Sequence, residues 1–245
     1  MSDVLLRRIE EASLNAWQAH QQIYFDGWVL RFANGYTKRA NSVNGLHAST
    51  LDAAEKIRAC EKIYAAKNLP AIFRITPFAS PANLDALLAT RGYAKIDLTR
   101  VMHCELRGGA DTRGELRDES LDEWFAHYCS LADTAYEKRQ AHKEILQNIP
   151  TRRLFAARYD AEQLVACGLG VLEEKFFGLF DIVVAAKQRN RGHGTRLTRG
   201  MLEWARANGA AHAYLQVVAA NAPARQVYGK LGFADVYEYW YRVVG

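Results

Sequence analysis

Gln188-Arg-Asn-Arg-Gly-His-Gly-Thr195 follows an apolar run, Leu179 to Ala186, that only Asp181 interrupts. It opens a segment in which Leu197, Met201, Trp204 and Ala205 recur at helical spacing. The order is therefore strand, basic glycine loop, helix. Such a loop aims several backbone N–H groups in one direction, and the helix behind it adds its unpaired N-terminal N–H groups and the positive end of its dipole. That makes a site for an anion, most plausibly a phosphate. Gly192 and Gly194 carry no Cβ and allow close backbone approach, while Arg189 and Arg191 supply charge to the same anion. Two well-known phosphate loops do not fit. No Lys-Ser or Lys-Thr follows the glycines as in a nucleoside-triphosphate loop, and there is no third glycine at the dinucleotide-fold spacing.

A second element follows in Asn221-Ala-Pro-Ala-Arg-Gln-Val-Tyr228-Gly-Lys-Leu-Gly-Phe233. The first stretch resembles the pyrophosphate loop of the GNAT acetyltransferase superfamily, Gln/Arg-x-x-Gly-x-Gly/Ala, with Arg189, Gly192 and Gly194 at its defining positions. The second is similar to that superfamily's Asn-x-x-Ala-x-x-x-Tyr-x-x-x-Gly-Phe. The resemblance covers about residues 115 to 245. It implies acetyl-CoA, or another acyl-CoA, as donor. The pyrophosphate would lie on the N–H groups of Arg189, Asn190, Arg191, Gly192, His193, Gly194 and Thr195. The pantetheine arm would run beside Ile182, Val183 and Val184, on backbone left open where that strand splays from the next. An N–H there would also meet the thioester oxygen.

The resemblance further implies Tyr228 as the acid that protonates the departing thiolate. A phenol of pKa about 10 facing a thiol of about 8.5 is a mild mismatch that a short hydrogen bond in a dry site tolerates. Read structurally, Tyr228 is a core residue of an amphipathic helix. Asn221 contacts the cofactor arm in relatives and is also a plausible helix N-cap. Arg225 could reach a CoA phosphate or face solvent. Asp181 is the candidate base, against the reading of a strand carboxylate bonded to its neighbours. Other members carry a base glutamate about three residues earlier, where this chain has Gly178, so a water relay stays open. Glu173 and Glu174 read as hairpin-turn charges.

The 245 residues, 49% hydrophobic and 24% charged, leave room for one large or two small domains. A net charge of +5 suits an anionic ligand, but Lys and Arg form no long run, so no nucleic acid is expected. Cys60, Cys104, Cys129 and Cys167 form no Cys-x-x-Cys pair and read as reduced thiols of a cytoplasmic protein. The charged N-terminus does not fit a signal peptide, and no window reaches the roughly 18 apolar residues of a membrane span. No His-Glu-x-x-His or similar spacing occurs, so no metal is expected.

Earlier in the chain, residues 3 to 17 read as a helix, and Ile23 to Leu46 as strands turning at Asp26-Gly27 and Asn34-Gly35. Next come helix, Ala71-Ile-Phe-Arg-Ile-Thr76, helix, Arg91-Gly-Tyr93 and strand. That order matches helix, Ala213-Tyr-Leu-Gln-Val-Val218, helix, Leu231-Gly-Phe233 and strand, at a period of about 140 residues. The expected fold is α/β (α+β): a mixed, mostly antiparallel GNAT sheet flanked by helices, in two tandem repeats of which the first is degenerate. Its loop position, Leu46-His-Ala-Ser-Thr-Leu-Asp52, has neither glycine nor arginine, so only the second repeat should bind the cofactor. The domains would be 1–106, a linker at 107–117 and 118–245. Trp28, Arg31, Arg39 and Asn41 are candidates to line an acceptor pocket, with a structural role as the stronger reading because strand alternation buries Trp28 and Leu30.

The reading is direct transfer of an acetyl group from acetyl-CoA to a primary amine, with no covalent enzyme intermediate because no cysteine sits in a nucleophile motif. The acceptor could be a small molecule, peptide or protein. Two rivals remain: a non-catalytic acyl-CoA-binding or sensing module, and a transferase using aminoacyl-tRNA, which the intact CoA loop disfavours. Exposed faces of the incomplete first repeat would suit a homodimer.

Overall fold

The computed structural model describes residues 2–108, 116–133 and 136–244. The first half runs α1 Asp3–Ala16, β1 Gln21–Phe25, β2 Trp28–Phe32, β3 Val43–Gly45, α2 Ala53–Ala65, β4 Ile72–Ile75, α3 Leu84–Thr90 and β5 Tyr93–Glu105. The second runs β6 Arg117–Asp118, α4 Leu121–Ala132, α5 Tyr136–Gln147, β7 Arg152–Asp160, β8 Gln163–Glu173 and β9 Phe176–Val184. It ends with α6 His193–Ala207, β10 His212–Val218, α7 Ala222–Lys230 and β11 Ala234–Val244.

Two compact units result, each assembled from separate segments. The larger comprises Met1–Ala16, Val101–Val217 and Asn221–Val236; the smaller comprises Trp17–Arg100, Val218–Ala220 and Tyr237–Gly245. The sequence reading instead places one cut at 107–117, of which residues 109–115 lie outside the described residues. What it could not see is tertiary: α1 belongs with the larger unit, where Arg8 and Asn15 bond Glu174 and Glu173 of the β8–β9 hairpin at 2.8 and 3.0 Å.

In the larger unit the strand order is β5-β10-β9-β8-β7-β6. β7, β8 and β9 are antiparallel, and β9 and β10 parallel. Alternation assigns the two faces. Leu154, Ala156, Ala166, Phe177 and Leu179 share a core with Leu197, Met201, Leu202 and Ala205 of α6. Phe155, Cys167 and Phe180 therefore point the other way. On that side Trp124 of α4 lies 5.4 Å from Phe155 and donates its indole N–H to the Ala156 carbonyl at 3.1 Å. The start of α4 is fixed locally by a reciprocal capping box between Ser120 and Glu123.

The smaller unit orders its strands β1-β2-β3-β4-β11, with β3 and β4 parallel. Trp28, Leu30, Val43, Phe73 and Ile75 pack against Ile57, Cys60 and Tyr64 of α2 and Leu84 and Leu88 of α3. The four acceptor candidates are built into this unit. Trp28 donates to the Ser80 carbonyl at 2.8 Å, Arg31 donates to the carbonyls of Trp17 and Arg39, and Asn41 Oδ1 accepts from the N–H groups of Ala33 and Gly35. Arg31, though it alternates with the buried Leu30, is itself only 2% exposed.

The order α2-β4-α3-β5 repeats as α6-β10-α7-β11, and the parallel pair β3/β4 repeats as β9/β10. The closing strands are exchanged. The end of β5 lies beside β10 in the larger unit, with Leu106 N donating to Ala211 O at 2.8 Å. The end of β11 pairs with β4 in the smaller, Trp240 opposite Ile75. Among the described residues no helix is long and apolar enough to cross a membrane.

Candidate active site

The β9–β10 ladder runs from His212↔Phe176 to Leu215↔Leu179 and stops. The cause is in β9. Its register against β8 jumps between Leu169↔Phe180 and Cys167↔Val183, so Asp181 and Ile182 together oppose Gly168. This is a β-bulge, with Asp181 in the left-handed region at φ 49°, and bulges bend the strand that carries them. Gly168 makes room for it: a Cβ there would stand 3.1 Å from both Ile182 Cγ1 and Met201 Sδ. Beyond Leu179 the edge of β9 that faced β10 has no ladder partner from that strand.

A 3-10 turn, Ala186–Gln188, leads from β9 into the loop, where Asn190 and Gly192 take positive φ of 63° and 80°. The helix α6 begins at His193, two residues before the expected Thr195, because Gly192 serves as its N-cap and accepts from Arg196 N at 3.0 Å. No side chain caps this end. The first-turn N–H groups, those of His193, Gly194 and Thr195, thus lack intrahelical partners. Arg189 and Arg191 are exposed beside them, and Arg196 donates to the Arg191 carbonyl at 3.3 Å. The His193 ring turns inward, 4% exposed and 3.8 Å from Asp160, which leaves only its N–H for a ligand. Gly194 meets Val184 of the open strand.

Ile182, Val184 and Tyr228 pack against one hydrophobic cluster, that of α6. Tyr228 stands 6.0 Å from Phe233 ring to ring, and burial pushes its phenol up to about 12. Asn221 caps α7, its Oδ1 accepting from Ala224 N at 3.2 Å. The Arg225 guanidinium is 2.9 Å from Asp235, so its charge is engaged within the unit.

Asp181 turns to the face under α4 and α5. Its Oδ2 lies 2.8 Å from His142 Nε2, and His142 is wholly buried between Phe125 and Tyr128, 5.4 and 5.0 Å away ring to ring. The Asp181 charge adds to burial in raising the Cys167 thiol far above its ordinary value. No side chain fits at position 178: a Cβ on Gly178 would come 2.5 Å from the Phe180 ring and 2.6 Å from the Tyr214 hydroxyl. Tyr214 thus fills the space a glutamate there would need. Among the described residues no group of His, Cys, Asp or Glu could hold a metal ion.

The family model described as "Probable histone acetyltransferase Rv0428c C-terminal" matches residues 4–242. The chain belongs to this family of GNAT N-acetyltransferases. It is 32% identical over 245 residues to the uncharacterized N-acetyltransferase YobR of Bacillus subtilis strain 168, covering 97% of this chain and 98% of that one. Among solved structures it shares its fold with a GCN5-related N-acetyltransferase from Kribbella flavida. There the TM-score is 0.70 at 16% identity, over 97% of this chain and 94% of that one. A tandem GNAT protein of the clavulanic acid biosynthesis pathway superposes with a TM-score of 0.58 at 16% identity, over 76% and 67% of the two chains.

GNAT enzymes use acyl-CoA donors, and the residues present fit one. An uncapped helix end, two exposed arginines and an unpaired strand edge follow one another along Ile182 to Thr195. Asp181 lies on the face under α4 and α5, and Tyr228 packs on the cluster of α6. The residue that sequence reasoning missed is His142. Ala141 beside it and Ile145 and Leu146 one turn on place it on the buried face of its helix, but nothing local marks it as the partner of a carboxylate 39 residues away.

Proposed function

We propose that this GNAT enzyme transfers an acetyl group from acetyl-CoA directly to a primary amine. The observation that carries the reading is the parting of β9 and β10 after Leu179 and Leu215, immediately before an uncapped basic helix end. Acyl-CoA supplies an activated thioester. The N–H groups of His193, Gly194 and Thr195, with Arg189 and Arg191, would hold its pyrophosphate. The open edge at Ile182 to Val184 would receive the pantetheine arm and offer an N–H to the thioester oxygen, a preorganised donor worth roughly 3 kcal/mol as charge develops there. Asp181 would take a proton from the acceptor ammonium, and Tyr228 Oη would deliver one to the leaving sulfur. Burial keeps that phenol protonated through the neutral range, since its pKa is raised to about 12.

Direct transfer is favoured by the state of the cysteines, all four of them buried reduced thiols. Burial raises Cys60 to about 12 and Cys104 to about 11, and Cys167 further still, so these thiols are poor nucleophiles.

The first half is proposed to bind no donor. At the corresponding helix, α2, the Asp52 carboxylate already accepts from Ala54 N and Glu55 N at 2.9 and 3.1 Å. As to acceptor, the family description as a probable histone acetyltransferase favours a lysine side chain among primary amines. Isothermal titration with acetyl-CoA tests the donor reading. One site per chain, lost when Gly192 and Gly194 are both replaced by bulky residues, is the expected result; no binding by the native protein would sink it.

A further inference from the structure

We propose that His142 is a positioning residue for Asp181, an inference that rests on the reading of Asp181 as the base. A carboxylate only accepts hydrogen bonds, so the 2.8 Å contact requires the proton on His142 Nε2. That fixes the imidazole tautomer and holds Oδ2, leaving Oδ1 as the oxygen available to an acceptor. The device is needed because Asp181 sits on a bulge, at φ 49°, where no ladder bond fixes its direction.

His142 is set for this purpose. It is 0% exposed and cannot itself reach an acceptor, and Phe125 and Tyr128 of α4 fix its ring edge-on. Among the described residues, Asp181 is faced by two side chains that carry titratable groups. Cys167 comes from β8, its thiol raised and therefore uncharged, and His142 comes from α5. An uncharged thiol is a weak hydrogen-bond donor and orients the carboxylate less than the imidazole N–H does.

In the step so arranged, one N–H bond of the acceptor ammonium breaks and its electron pair stays on nitrogen. The proton forms an O–H bond at Asp181 Oδ1, while Oδ2 keeps its bond from His142. The freed amine is then the nucleophile.

The test uses the full chain with acetyl-CoA and n-butylamine, the bare alkylamine end of a lysine side chain, and follows thiol release. His142→Phe should lower kcat about 10- to 100-fold with the KM for acetyl-CoA unchanged, a part of the 10²- to 10⁴-fold that a general base supplies. His142→Gln, which keeps an N–H donor near the Nε2 position, should restore most of the rate.

A native rate in folded His142→Phe, with Asp181→Asn inactive, overturns this inference and leaves the base reading standing. A native rate in Asp181→Asn overturns both. Where the native protein leaves n-butylamine unacetylated, the His142 tautomer decides in its place. Should His142→Phe fail to fold, nitrogen-15 NMR decides: the native imidazole should be a single Nε2–H tautomer that Asp181→Ala dissolves, and a native Nδ1–H tautomer would sink the proposal.

Discussion

Gly194 and Val184 meet so closely that a β-carbon on the glycine would stand 3.3 Å from Val184 Cγ2. The contact joins the first turn of α6 to the open edge of β9, so it sets where the helix end sits beside the strand. Gly194→Val should push the two apart, destabilise the protein by about 1–3 kcal/mol as overpacked sites do, and weaken acetyl-CoA binding at least roughly tenfold, an estimate on the same grounds. Gly194→Ala, whose single methyl Val184 can accommodate with a small shift, should lose much less. Calorimetric titration beside thermal melts checks both.

Gly192 makes a different demand. Its φ of 80°, with a β-carbon there no nearer than 3.9 Å to the Arg196 guanidinium, means that backbone conformation, not crowding, requires glycine. An L residue there costs about 1–2 kcal/mol. Gly192→Ala should therefore lower stability by about that amount in urea unfolding, and Gly192→Asn by less because asparagine tolerates the left-handed region. An Ala variant as stable as the native chain would show that α6 does not start as described.

Tyr228 is accessible to test through pH. Its phenol is raised above the ordinary value of about 10, to about 12, by burial. The folded state therefore holds this proton more tightly than the unfolded chain. The linked stability is complete below about pH 10 and is lost as pH rises toward about 12. Tyr228→Phe should flatten that alkaline loss, lower kcat by about 100-fold, and leave acetyl-CoA affinity intact. A native kcat in the Phe variant would remove Tyr228 from the chemistry.

Much of this was readable from the residues themselves. Arg189, Gly192 and Gly194 mark a loop whose geometry is local, so the residues themselves reveal it. Asp181 stands out because it breaks an apolar run. What escaped depends on contacts distant in sequence. His142 acquires meaning only from Asp181, and Arg225 is engaged by Asp235 through the packing of α7 and the start of β11. The bulge at Asp181 and Ile182 is a register jump between two strands, which neither strand shows alone.

In the smaller unit, Asp85 accepts from Trp240 Nε1 at 2.7 Å and from Arg242 Nε and Nη2 at 2.8 and 2.9 Å. The Arg242 guanidinium holds its carboxyl below the usual range. A depressed folded value means stability present above the unfolded pKa of about 3.9 and lost as pH falls below it. Asp85→Ala should cost about 1.5–3 kcal/mol, the worth of hydrogen bonds to a charged group, and should make acid unfolding shallower. Urea titrations at pH 7 and pH 3 measure both effects.

The exchanged strands bear on any attempt to shorten the protein. A fragment of residues 118–245 lacks α1 and the segment Val101–Glu105 that lies beside β10. It should melt without a cooperative transition in circular dichroism and give poorly dispersed amide signals. A fragment that folds cooperatively and binds acetyl-CoA would show that the closing strands are dispensable.

Asp52 gives the smaller unit's helix a ligand it can never release. Held by its own chain at the start of α2, the carboxylate acts at an effective concentration of order millimolar or higher, and any soluble phosphate must compete with it there. At the start of α6 glycine stands in that place and competes with nothing. Between these two helix starts, the chain supplies the anion itself at one and not at the other.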